Sequence, residues 1–312
     1  MIKYISFFAV LLVGCSPTTE NIPDELTKKS EKHTQSTPNQ YNFSAPKPPT
    51  EIIFAGKPYS FSDEDIKERL DKELVVNTFW HSNTIFYMKR AHRWFPMISA
   101  ILKQENVPDD FKYLAVIESG LKQATSPSGA KGFWQFMPTT AIDYELEISN
   151  TVDERLHLEK STHAACKYLK KAYKKFGSWE LAAAAYNRGS NGLERDMEEQ
   201  DVTHLFDTYL NNETSRYFFR ILAVKEILEH PEKYNFLITN KEKYGAFKTI
   251  SISIKEDIDD LSSWAKKKGF NLKILKKLNP WLISKQLKVK KGKSYKILLP
   301  STEEKLKNYA DY

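Results

Sequence analysis

Apolar residues recur at helical spacing between residues 62 and 230 and alternate with polar ones only beyond about Tyr244. Ser62, followed by Asp63-Glu64-Asp65, predicts a helix start with Ser62 as N-cap and a run to about Phe79. A second stretch, Thr84 to Glu105, carries Phe86, Ala91, Trp94, Phe95, Ile98 and Leu102 near helical spacing, with a kink expected at Pro96. Val107-Pro108 breaks it, and Asp109 or Asp110 is expected to cap a short helix that ends at Glu118. Pro138 opens another helix, to Tyr144. Ser161 reads as the cap of a long helix whose Ala165, Tyr168, Leu169, Ala172, Tyr173 and Phe176 share one face and which Gly177 stops. Ser178 caps Trp179 to Arg188, and Thr214 to Glu229 is the last helix before Pro231.

The texture then changes. Phe247 to Ile254 alternates strictly and predicts a strand. Short helices over Ile258 to Lys268 and Leu272 to Leu278 follow, then Asn279-Pro280-Trp281-Leu282, then a strand from Ser294 to Leu299 that ends at Pro300. The expected fold class is mainly α: a helical domain over residues 51–240, a small α+β module of strand-helix-helix-strand order over 241–302, and a tail at 303–312.

Composition changes this picture at the two ends. The chain of 312 residues suits two folded units. Its formal charge of +7 is uneven: Ala265 to Lys296 holds twelve lysines and no acid, so the remainder is net negative. These lysines read as a solvated face. At the N-terminus, Lys3 precedes an apolar run, Ile5 to Val13, too short to span a membrane. It ends in Leu12-Val13-Gly14-Cys15, which is similar to a bacterial lipobox. Residues 1–14 would then be a lipoprotein signal peptide, and Cys15 would be lipidated and attach the chain to a membrane. The alternative is a plain secretory signal with Cys15 incidental. Ser16 after the cysteine suits the outer membrane, facing the periplasm. A secreted chain leaves no place for a nucleic-acid partner. Residues 15–50, poor in large apolar residues, predict a disordered tether. As a coil it would span roughly 30 Å, and about 115 Å stretched. Cys166, the only other cysteine, reads as a small buried hydrophobe.

The candidate chemistry lies in residues 113–138. An apolar run, Tyr113 to Ile117, delivers Glu118 and then Ser119; turn signals follow at Ser126-Pro127 and Ser128-Gly129, then Phe133-Trp134-Gln135-Phe136-Met137. Sugar rings have apolar faces and polar edges, so a site for them wants aromatic platforms, an amide and a carboxylic acid beside the glycosidic oxygen. A carboxyl at the end of an apolar helix, roofed by Phe133, Trp134 or Phe136, is expected to have a raised pKa, as a general acid needs at neutral pH.

Glu118-Ser119, the S-P-x-G-A-x-G run from Ser126 and the G-x-x-Q-F-M-P-x-T-A run from Gly132 to Ala141 resemble the soluble-lytic-transglycosylase catalytic domain of glycoside hydrolase family 23, over about residues 80 to 230. The resemblance implies a lysozyme-like helical domain that acts on peptidoglycan glycan strands as a monomer, without metal or cofactor. It assigns Glu118 as acid and then base, which leaves 1,6-anhydro-N-acetylmuramic acid ends. Ala185-Tyr186-Asn187 matches the family's A-Y-N, which places Tyr186 over the catalytic carboxyl and Asn187 beside the substrate. Glu213-Thr214-Ser215-Arg216-Tyr217 is similar to its E-T-x-x-Y, which makes Glu213 and Tyr217 sugar contacts, with Phe218 departing from the usual small aliphatic. Gln135, Ser119 and Ser126 would line the same groove. The C-terminal module resembles the LysM family, which binds N-acetylglucosamine-containing glycan, although Glu256-Asp257-Ile258-Asp259-Asp260-Leu261 replaces its G-D-T-L. Two other functions stay open: a lysozyme-like hydrolase, with Asp143 or Glu145 placing a water, and a non-catalytic wall-binding lipoprotein.

Overall fold

The computed structural model of the chain describes residues 44–301. The signal segment, Cys15, most of the tether and the tail therefore lie outside the described residues. Among the described residues, 45–301 form one compact unit.

The unit opens with a hairpin that the spacing of residues did not announce. Strands β1 (Glu51–Phe54) and β2 (Lys57–Ser60) pair antiparallel, with Ile52 opposite Tyr59. Ala55 and Gly56 both have positive φ, 52° and 77°, as a two-residue hairpin turn of this twist requires. Alanine rarely marks such a turn, and four-residue strands are too short for alternation to register. The Ala55 N–H is taken by Asp110 Oδ2 at 2.6 Å, and Ile52, Phe54 and Tyr59 are buried in the helical core.

The helices follow the expected order with shifted ends. Helix α1 (Glu64–Phe79) is capped by Asp63 rather than Ser62: Asp63 Oδ1 accepts from the Ile66 N–H at 3.1 Å. Helix α2 (His81–Gln104) starts before Thr84 and runs through Pro96. A 3-10 turn at Asp109–Phe111 leads into α3 (Lys112–Ser119), which neither aspartate caps. Asp109 pairs with Lys112, and Asp110 holds the hairpin and pairs with Lys225 at 2.9 Å. Helix α4 (Pro138–Asp143) has proline in its first turn. Helix α5 (Leu158–Phe176) is capped by His157, and Ser161 lies within its first turn, donating to the Leu158 carbonyl at 3.2 Å. Ser178 does cap α6 (Trp179–Arg188). Helix α7 (Ser190–Glu198) is additional; Gly189 both ends α6 and precedes it. Helix α8 (Asn212–Glu229) is capped by Asn211.

Tyr113 to Ile117 of α3 are all buried, so this short helix is apolar on every side, as a helix enclosed by others must be. It lies between α2 and α8, and α8 also packs on α1 and α6. The carboxyl-bearing end of α3 is thereby held by the centre of the core.

The C-terminal module has the expected order. Strands β3 (Thr249–Ile254) and β4 (Tyr295–Pro300) pair antiparallel with Ile252 opposite Ile297, and α9 (Leu261–Lys267) and α10 (Leu272–Leu278) lie between them in sequence. Its core of Leu261, Leu275, Trp281, Leu287 and Ile297 takes in Val152 from the helical domain. Around Val152, the Asp153 N–H donates to the Trp281 carbonyl at 2.9 Å and the Ile283 N–H to the Thr151 carbonyl at 3.1 Å. Glu147 accepts from the Tyr295 hydroxyl and Lys293, each at 3.0 Å, and pairs with Lys290 at 2.9 Å. Among the described residues no helix is long and apolar enough to cross a membrane.

Candidate active site

Glu118 occupies the last turn of α3, which Gly120 ends in the left-handed region at φ 63°. Its carboxyl is half-buried, and Oε1 accepts a hydrogen bond from the hydroxyl of Tyr217, a core residue of α8 that is 1% exposed. Burial pushes the Glu118 pKa up to about 7. The Tyr217 hydrogen bond and the Arg220 guanidinium oppose the rise, and the nearby Glu213 carboxylate adds to it. Arg220 also fixes the helix end, donating from Nη2 to the Ile117 carbonyl at 3.0 Å.

The loop of residues 124–136 is tied to itself by Gly132 N–H to Ala124 at 2.9 Å, Ser126 N–H to Ala130 at 2.9 Å and Lys131 N–H to Phe136 at 3.1 Å. Gly132 has φ 84°, and a Cβ there would stand 2.0 Å from the Arg155 carbonyl oxygen, so no other residue fits without backbone movement. Gln135 holds a left-handed φ of 48°, which a non-glycine residue rarely adopts, and its amide donates to Gly132 at 2.7 Å and Ala124 at 3.2 Å. Ser126 Oγ accepts from the Ala130 N–H at 3.0 Å and shares a hydrogen bond with Ser128 Oγ.

The aromatic run does not form the surface expected of it. Phe133, Trp134 and Phe136 are buried core residues, and Trp134 Nε1 donates to Thr162 Oγ1 at 2.9 Å. Their spacing alternates neither as a strand nor as a helix, because the loop is irregular, so direction could not be read from it. Met137 is the exposed member, at 40%. Tyr186, half-buried, packs edge-on against Phe136 and donates its hydroxyl to the Trp134 carbonyl at 2.8 Å. Burial raises its pKa well above the usual tyrosine value, and the charge of Glu118 adds to the effect.

The remaining expected residues fall into three settings. Asn187, at the end of α6, donates to Glu213 at 3.0 Å and accepts from Thr214 Oγ1 at 2.8 Å, joining α6 to α8. Ser119 is buried and donates to the Ala115 carbonyl at 3.1 Å. Asp143, the last residue of α4, and Glu145, just past its end, are exposed, and Glu145 pairs with Lys167.

One group of residues had no signal in the sequence beyond polarity. Asp153, Glu154 and Arg155 look like a solvated turn, yet all three are buried. Arg155 pairs with Asp153 through two contacts, 2.9 Å and 2.8 Å, and donates from Nη1 to the Gly129 and Phe136 carbonyls at 2.9 Å and 3.3 Å. It clamps both ends of the inner loop. Among the described residues no cluster of three or more metal-ligating side chains occurs.

Residues 95–204 match the model of the transglycosylase SLT domain, and residues 250–303 that of the soluble lytic transglycosylase C-terminal LysM-like domain. Membrane-bound lytic murein transglycosylase D from two strains of Escherichia coli is 26% identical over 223 residues, covering 70% of this chain and 48% of its own length. The chain thus spans about half the length of the curated relatives it matches. An inactive mutant of lytic transglycosylase Slt from Pseudomonas aeruginosa aligns at 19% identity with a TM-score of 0.35, over 48% of this chain and 26% of its own. Residues 95–204, which hold Glu118 and its loop, are a transglycosylase SLT domain, and the strand-helix-helix-strand unit after them is a LysM-like domain.

Proposed function

We propose that the chain is a peptidoglycan lytic transglycosylase that cleaves the β-1,4 bond between N-acetylmuramic acid and N-acetylglucosamine without water. The observation that carries this reading is Glu118: a carboxyl at the open end of a buried helix, steadied by Tyr217, with a pKa near 7. At neutral pH such a group is divided between its acid and base forms, which suits a residue that must act as each in turn.

In the first step Glu118 gives its proton to the glycosidic oxygen as the bond to carbon 1 breaks. The resulting carboxylate then takes the proton of the same sugar's carbon-6 hydroxyl, whose oxygen closes on carbon 1. No water is consumed, and the attacking group is already part of the substrate, so its positioning is intramolecular. Gln135, Ser126, Asn187 and Glu213 are the proposed sugar contacts, with Ser119 behind the acid. Tyr217 steadies the carboxyl, and Tyr186 braces the loop through the Trp134 carbonyl. A hydrolase would need a second carboxylate to place water. Asp143 and Glu145 face solvent, and the carboxylate felt at Glu118 is Glu213, which Asn187 already engages.

The domain limits follow the same reading: signal 1–14, tether 15–50, catalytic domain 51–240 and LysM-like domain 241–302, with Cys15 lipidated in the cell envelope and the protein acting as a monomer. Mass spectrometry of digests of purified peptidoglycan tests the reaction. Fragments ending in the anhydro sugar, lighter by one water than hydrolytic ones, are expected. Fragments ending in reducing N-acetylmuramic acid overturn the proposal.

A further inference from the structure

Beside Glu118, on the side of α1 and α2, lies a cavity of about 370 Å³, whose lining shares only Glu213 with the sugar contacts proposed above. Ile117, next to the acid in sequence, and Glu213, whose charge acts on it, line the cavity. Trp80 and Tyr87 supply aromatic walls, and Trp80 is 59% exposed between the two helices. Two guanidinium groups, of Arg216 and Arg220, face the space from successive turns of α8.

The arginines differ in what holds them. Arg216 is neutralised by Glu73, a carboxylate 1% exposed, through contacts of 2.5 Å and 3.2 Å. Arg220 forms no ion pair among the described residues; its hydrogen bond goes to the uncharged Ile117 carbonyl. A charged guanidinium has five donors, and Nη2 donating to Ile117 leaves others for a ligand. Glu213, the other acid at the cavity, is held by Asn187. The cavity therefore presents a cation with no ion-pair partner among the described residues, beside an aromatic face, next to the proposed catalytic acid.

In a stem-bearing strand each muramic lactyl carboxyl is tied up as an amide, so the glycan backbone itself is uncharged and has no use for that cation. On a peptidoglycan strand the anions near the scissile bond are the carboxylates of the peptide joined to the muramic lactyl group. We infer that this cavity receives the peptide stem, with Arg220 taking a stem carboxylate and Trp80 covering the chain, so that strands carrying stems are cleaved in preference to stripped strands. The inference rests on the peptidoglycan reading of the site and would make Arg220 and Trp80 determinants of specificity.

The test compares kcat/KM on two soluble glycan-strand preparations of matched length, one with stems and one stripped by an amidase with the freed lactyl carboxyls capped as methylamides, using the full chain. The wild type is expected to favour stem-bearing strands, and Arg220→Gln to lower that preference about tenfold, the worth of one charge-assisted hydrogen bond. Trp80→Ala, a change at an exposed side chain, lowers the same ratio and serves if the arginine variant does not fold. A wild type that cleaves both preparations equally, or variants that keep the wild-type ratio, overturns the inference. Cleavage of neither preparation by the wild type would instead refute the transglycosylase reading on which it stands.

Discussion

Tyr217 donates its hydroxyl hydrogen to Glu118 from 99 positions further along the chain, and the bond joins the two helices that meet at the centre of the core. It stabilises the ionised carboxyl and so offsets part of the rise that burial imposes. Tyr217→Phe is expected to move the alkaline limit of activity upward by about one pH unit, because the acid form then persists to higher pH. Turnover should fall as the carboxyl loses its orientation. A pH–rate profile checks this, and an unmoved limb would mean that Glu118 does not set it.

Glu118→Gln should abolish turnover by at least a hundred- to ten-thousand-fold, since the amide can neither give nor take the proton. Stability should move the other way. The folded-state pKa of about 7 lies above the unfolded value, so the native protein is penalised for ionising Glu118 as pH rises from about 4 through 7. Glutamine avoids this penalty, which is on the order of 3 kcal/mol at most. Thermal melts are expected to coincide near pH 4 and to favour Glu118→Gln at pH 8.

Gly132→Ala should cost more than about 2 kcal/mol and reduce activity, because its Cβ would meet the Arg155 carbonyl at 2.0 Å in a positive-φ conformation. Gly129→Ala, at φ 88° but with nothing within 4 Å, carries the backbone strain alone and should cost about 1 kcal/mol. Equal losses in urea melts would mean that the close approach to Arg155 is not what requires glycine at 132.

Removing residues 241–312 should do more than weaken retention on the cell wall. It exposes Val152, frees Glu147 from Lys290, Lys293 and Tyr295, and removes the carbonyl that holds the Asp153 N–H. Asp153 orients Arg155, and Arg155 clamps the 124–136 loop at Gly129 and Phe136. Faster amide exchange in that loop and lower activity on soluble glycan strands are expected. Unchanged exchange would show that the two units are energetically independent.

What the sequence made legible had either strong periodicity or a fixed order of residue types. The long helices, the alternating Phe247 to Ile254 and the carboxyl at the end of Tyr113 to Ile117 belong to that class. Caps moved by one to four residues, from Ser62 to Asp63 and from Ser161 to His157, because several polar residues near a helix start can serve and packing chooses among them. Nothing local distinguishes a buried Asp153-Arg155 pair from a solvated turn, since the difference lies in what covers it. The direction of Phe133, Trp134 and Phe136 was hidden likewise, in a loop whose backbone is set by Gly132 and Gln135.

The way Val152 enters the core of the C-terminal module bears on how such chains can be recombined. A cut near residue 240 looks clean, since the two cores follow one another in sequence. Yet the module's docking surface is written in two distant places, Glu147 to Asp153 and Trp281 to Tyr295. A foreign module grafted at that point would arrive without the matching carbonyl and lysines, and would leave an apolar side chain and a carboxylate facing water. Exchange of modules therefore requires the two patches to change together, so the inheritable unit is larger than either domain.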